Sequence, residues 1–89
     1  MAAVITVEIP DRDGAFHATV ERILAPATWI TRAELKPCEN HADWLISIRW
    51  GQIAEAITVG RDRQSPPHVE SLLRSWLKKH TDSRRRFSR

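Results

Sequence analysis

The sequence predicts a small α+β domain of order β-α-β-β-β-α, an antiparallel-rich four-stranded sheet with two helices packed on one face. Three observations carry this. Trp44–Trp50 and Ile53–Val59 flank Gly51-Gln52, and pairing them puts most of their large apolar residues on one face, the pattern of a hairpin. Two other segments repeat apolar residues at helical spacing. The length of 89 residues allows one domain and not two.

Val4–Ile9 opens the chain with Ile5, Val7 and Ile9 on one side and Thr6 and Glu8 on the other, the period of a half-buried strand. Pro10-Asp11-Arg12-Asp13-Gly14 ends it with turn residues. The next segment admits two readings. As a helix, Phe16, Val20, Ile23, Leu24 and Ala27 share one arc, with Asp13 at the N-cap position and Pro26 at the far end. As a strand it also alternates, but Arg22 then lands on the inner face, so the helix is preferred.

Thr28–Lys36 reads as the second strand, with Trp29, Thr31, Ala33 and Leu35 facing one way, and a polar loop covers Pro37–Asp43. In the hairpin, Gly51 at the first central position suits a type II′ turn, and pairing Trp50 with Ile53 sets the register. One face then holds Trp44, Ile46, Ile48, Trp50, Ile53, Ile57 and Val59; the other holds Ser47, Arg49, Ala54 and Thr58. Glu55 is the exception on the apolar face, either an acid at the sheet's rim or a functional carboxylate. Ser65 and Pro66 begin a final helix whose buried stripe is Val69, Leu72, Leu73, Trp76 and Leu77. Lys78, Lys79 and His80 read as the cationic complement to the end of its dipole. A right-handed crossover between the first two strands puts both helices on one face.

Charge is divided unevenly. Residues 1–83 carry ten Lys and Arg against eleven Asp and Glu, so the net +3 arises from Arg84, Arg85, Arg86 and Arg89. The chain divides into a neutral domain, 1–82, and a basic tail, 83–89. The tail is a phosphate-neutralising arm or a solvated terminus. The four tryptophans anchor a small core or form a stacking surface for bases. Cys38 is the only cysteine, the apolar runs are short of a bilayer's width, and no signal-peptide pattern follows Met1, so a cytoplasmic protein with no membrane association is expected.

No motif supplies catalysis. Cys38 and His41 have C-x-x-H spacing without a second ligand pair, and there is no phosphate-binding loop or nucleophile elbow. No metal or cofactor is expected, and the chain reads as a non-catalytic module.

The run Glu8-Ile9-Pro10-Asp11-Arg12-Asp13-Gly14-Ala15-Phe16, closing a strand and opening a helix, resembles the start of an ACT domain. Trp29-Ile30-Thr31 falls where that family carries its second-strand signature, and Trp44–Trp50 and Val69–Leu77 continue its order. The resemblance implies a regulatory domain that binds a small metabolite such as an amino acid, commonly at a homodimer interface, and modulates a partner protein. Its ligand site falls on Asp11, Arg12, Asp13, Gly14, Ala15 and Phe16, and its last strand on Ser83–Arg89. In physical terms, Gly14 permits close approach to the backbone, and the free N–H groups of the first helical turn favour an anion. The competing reading is an ordinary strand-to-helix turn. The alternative function is a small adaptor or inhibitor that binds protein or nucleic acid through the sheet face and the arginine-rich tail. The α-β-β-β-α part is similar in outline to double-stranded-RNA-binding domains, but Ser65–Glu70 lacks their basic cluster.

Overall fold

The computed structural model describes residues 3–87, and the side chains of residues 3–80. Its elements are β1 (Val4–Val7), α1 (Ala15–Leu24), β2 (Arg32–Pro37), β3 (Trp44–Trp50), β4 (Ile53–Val59) and α2 (Pro66–Phe87), with a 3-10 turn at Arg61–Arg63. The four strands form one sheet in the order β1-β2-β3-β4. β1 runs parallel to β2, and the other neighbours are antiparallel. This is the predicted α+β arrangement of order β-α-β-β-β-α.

The hairpin is as the pattern predicts. Trp50 stands opposite Ile53 and Trp44 opposite Val59, with no bulge between. Gly51 takes φ of 56°, and His41 is the only non-glycine at positive φ among the described residues, so Gln52 keeps negative φ. That combination of signs belongs to a type II′ turn.

One core joins the sheet to both helices. Ile46, Ile48 and Val59 from the hairpin, Ala33 and Leu35 from β2, Val20, Ile23 and Leu24 from α1, and Val69, Leu73 and Trp76 from α2 are all buried in it. Among the described residues Thr19 is the buried polar one, and its Oγ1 donates to the carbonyl of Ala15 at 2.8 Å. A fully buried Ile, Leu or Val contributes roughly 1.5–3 kcal/mol. These side chains therefore outweigh any surface interaction in fixing the fold.

Three local expectations are corrected. The second strand begins at Arg32, four residues after the expected start, because the chain turns between Leu24 and Ile30 through bonds from Ala27 N–H to Leu24 and Ile30 N–H to Ala27. Ile30 is buried and Thr31 exposed, the reverse of the strand reading. The first strand ends at Val7, although Ile9 still joins the core.

The third correction concerns α2. It continues through residues 83–87, so that stretch is not a strand, and Lys78, Lys79 and His80 lie within the helix rather than at its end. Arg89 and Ser88 lie outside the described residues. At 1.5 Å per residue, the 22 residues of α2 reach about 33 Å, whereas a seven-residue strand spans about 23 Å. The helix accordingly outruns the sheet.

Glu70 ties the two helices together, accepting hydrogen bonds from Arg22 of α1 and from Arg74 one turn along α2. These bonds, chiefly the one from Arg22, hold its carboxyl below the ordinary value of 4.5. A lowered folded value stabilises the protein above the unfolded value and is lost as pH falls through the folded one. Glu70→Gln should therefore lower the melting temperature slightly at neutral pH, and the two melting curves should converge in acid below 4.5. An offset independent of pH, measured by circular dichroism melts, would contradict this role.

Candidate functional site

The turn between β1 and α1 is organised by its first acid. Both carboxylate oxygens of Asp11 accept backbone hydrogen bonds, from Phe16 N–H at 2.9 Å and His17 N–H at 3.1 Å. Gly14 makes this possible. Its φ of 67° reverses the chain, and its N–H bonds back to the Asp11 carbonyl at 3.2 Å. Asp11 thus performs the capping expected of Asp13, which is exposed.

Two of the first-turn N–H groups that an anion would use already hold a carboxylate. What remains open is the surface around them. A Cβ at Gly14 would meet nothing within 4 Å. Arg12, Asp13 and Ala15 are exposed, and the Phe16 ring packs edge-on against Trp44, with centroids 5.2 Å apart. The six residues Asp11–Phe16 therefore form one partly exposed turn bearing an exposed cation, an exposed anion and a half-buried aromatic ring.

A second constellation lies on the sheet. Both helices cover the face bearing Ala33, Leu35, Ile46 and Ile48, so the other face carries the alternate residues. Across it, register places Val4, Arg32, Arg49 and Ala54 in one row. Thr6, Glu34, Ser47 and Ala56 form the next, and Lys36, Leu45 and Thr58 continue it. Arg32 and Arg49 are direct neighbours on adjacent strands, and both are exposed. Like charges directly opposite destabilise a sheet. Glu34 relieves Arg32 in part, at 3.8 Å from its Nε. Local sequence could not show this pair, because it depends on how β2 pairs with β3 across a loop.

The third constellation fills the hairpin end. Trp29 stacks on Trp76 at 5.8 Å, and Trp50 meets both edge-on at 5.3 and 5.5 Å. His80 closes the group, 4.2 Å from the Trp76 ring. Glu55 faces it from β4, accepting from Trp76 Nε1 at 3.4 Å and lying 3.3 Å from His80 Nε2. The three tryptophans pack against the core, and Glu55 belongs to this cluster.

Of the remaining candidates, Cys38 and His41 sit in one turn, where His41 N–H bonds to the Cys38 carbonyl. Among the described residues no group of three or more metal-ligating side chains occurs, and no helix is long and apolar enough to cross a membrane. Of the arginines considered as a phosphate-binding arm, Arg84, Arg85 and Arg86 lie within the helical backbone of α2.

Replacing a capping side chain costs about 1 kcal/mol, roughly 4–8 °C in melting temperature for a domain of this size. Asp11→Ala should show that loss, and Asp13→Ala should melt with the parent. Equal effects from the two substitutions would refute the assignment of the cap.

Comparison with protein-family models, curated proteins and solved structures returned no match.

Proposed function

We propose that this chain is a non-catalytic binding module whose working surface is the uncovered face of the sheet, and that its partner is an acidic segment of another protein. The observation that carries this reading is the Arg32–Arg49 pair, two exposed arginines at opposed positions of β2 and β3. Such a pair opposes sheet formation by some tenths of a kcal/mol up to about 1. A carboxylate-bearing partner turns that local cost into two charge-assisted hydrogen-bond donors, each with a bidentate fork. Lys36 adds a third cation to the same face, beyond Glu34 on β2, while Val4, Ala54 and Ala56 leave the surface low enough for close approach. A cytoplasmic setting, expected from the single cysteine, belongs to the same reading.

The test joins stability to binding. Arg49→Gln should leave the melting temperature unchanged or raise it by a few degrees, because it removes like-charge repulsion. The double substitution Arg32→Ala, Arg49→Ala should weaken binding of a fluorescent polyglutamate peptide at least tenfold in anisotropy titrations. Retained peptide affinity would dismiss this face. A nucleic-acid partner engaged through Arg84, Arg85, Arg86 and Arg89 gives a different pattern. Oligonucleotide binding would survive the double substitution and lose its salt dependence when Ser83–Arg89 is removed.

The ACT-like reading keeps support from one observation. At the Asp11–Phe16 turn, the backbone at Gly14 is open, and exposed Arg12 and Asp13 offer complementary charges to the carboxylate and ammonium of an amino acid. In this reading the module senses a metabolite and modulates a partner. Arg12→Ala is the better probe, because a side chain at Gly14 would be strained at φ of 67° by about 1–2 kcal/mol. A ligand at about 100 times its dissociation constant adds roughly 2.7 kcal/mol. A thermal-shift screen of amino acids should therefore give a clear rise with one compound and none with the Arg12→Ala variant. A flat screen sinks this second reading and leaves the first untouched.

A further inference from the structure

The sheet has two edges of opposite character. β1 is four residues long and runs into Pro10, both devices that blunt an edge. β4 has seven residues, pairs with β3 without a bulge, and contains no Pro, Gly, Lys or Arg. Its residues from Ile53 to Ala56 are all exposed, and Ile53 is 52% exposed. An edge of this kind is a template for another strand.

The hairpin fixes which backbone groups the edge presents. In a two-residue hairpin the closing pair, here Trp50 and Ile53, exchanges both hydrogen bonds, and bonded pairs alternate thereafter. Trp50, Ile48, Ile46 and Trp44 therefore bond toward β4. Leu45, Ser47 and Arg49 point toward β2, which agrees with the bond from Thr31 N–H to the Arg49 carbonyl at 2.9 Å. On β4 the same alternation turns Ile53, Glu55, Ile57 and Val59 inward. The N–H and C=O groups of Ala54, Ala56 and Thr58 face outward, where no further strand lies among the described residues.

These outward groups are self-complementary. We propose that β4 is a homodimer interface, pairing antiparallel with β4 of a second copy of this chain about a two-fold axis at Ala56. Ala56 then bonds to Ala56 of the second copy, and Ala54 to its Thr58. Every outward N–H and C=O of the three residues finds a partner. A slip of two residues in either direction leaves some of them unpaired.

The side chains agree. Two alanines meet at the axis on the uncovered face, where larger residues would crowd. Exposed Ile53 comes to stand opposite Val59, and Glu55 opposite Ile57. Glu55 is the one charge on the edge, and its exposed carboxylate is engaged by Trp76 and His80 of its own chain. The joined sheet has eight strands, within the usual range. This proposal does not depend on the acidic-partner reading, because Arg32 and Arg49 lie on β2 and β3.

Sedimentation velocity over a concentration series, with amide hydrogen exchange by NMR, tests it on the full chain. The expected result is a concentration-dependent dimer in which the amides of Ala54, Ala56 and Thr58 gain protection as dimer forms. Ala56→Lys places two ammonium groups opposite each other at the axis and should raise the dimer dissociation constant at least tenfold, more so at low salt. Ala56→Pro removes one outward donor at an edge position where proline is tolerated and should also give monomer. The spectrum of the core should persist in both variants. A parent protein that stays monomeric at every concentration overturns the proposal. So does a dimer that survives Ala56→Lys with Ala54, Ala56 and Thr58 unprotected, since another surface then makes it. A monomer whose edge amides are protected only when a foreign extended peptide is added also overturns it.

Discussion

The pairing of Trp50 with Ile53 across Gly51-Gln52 decides the face occupied by every residue of the hairpin. Side chains alternate along a strand, so a register slipped by one residue would reverse them all. Ser47 and Arg49 would enter the core while Ile46 and Ile48, now fully buried, would face water. Burying an unpaired guanidinium costs far more than the hairpin turn contributes. β2 inherits the constraint through β3, with Ala33 opposite Ile48 and Leu35 opposite Ile46, and β1 inherits it through β2. The same parity exposes Arg32 beside Arg49 and turns the backbone of Ala54, Ala56 and Thr58 outward. The core thus dictates both the cationic row and the open edge.

The magnitudes explain why the arginine pair persists. Its repulsion is at most about 1 kcal/mol, whereas the buried pairs beside it on β2 and β3 each contribute several times that. The fold therefore tolerates the pair without needing it. The cluster of Trp29, Trp50, Trp76 and His80 is different. These rings pack against the core and against one another at 4.2–5.8 Å along most of their contacts, and they complete the end of the sheet that β3 and β4 leave open. Their arrangement has a sufficient structural cause.

What was legible in the sequence follows the range of the interactions. β3 and β4 are read to the residue because alternation and a two-residue turn are local signals. β2 is misplaced at its start because Trp29 and Ile30 supply apolar residues in a stretch that turns instead. The length of α2 is hidden because Lys78, Lys79 and His80 look like a helix end, although the backbone continues to Phe87. At the β1–α1 turn the nearest acid is the obvious cap. The left-handed conformation of Gly14 brings Asp11 within reach instead, and no periodicity reports a dihedral angle. The Arg32–Arg49 neighbourhood and the Glu55–His80 contact are set by tertiary pairing, across intervals that local pattern does not span.

The edge and the uncovered face belong to one surface, and this couples the two proposals. If β4 pairs with itself about Ala56, the two uncovered faces join into one. The Arg49 residues of the copies then stand three strand spacings apart across the sheet and about four residues apart along it. With strands 4.8 Å apart and 3.3 Å per residue, that separation is roughly 20 Å. A partner carrying two acidic groups at that distance gains the effective concentration of an intramolecular second contact, whereas a partner with one does not. Binding to the pair also favours the dimer by mass action, because the bivalent site exists only in the dimer. Affinity for a bivalent acidic partner should consequently rise with protein concentration, while affinity for a monovalent one should not. That difference links self-pairing at an edge to selection of a partner on a face.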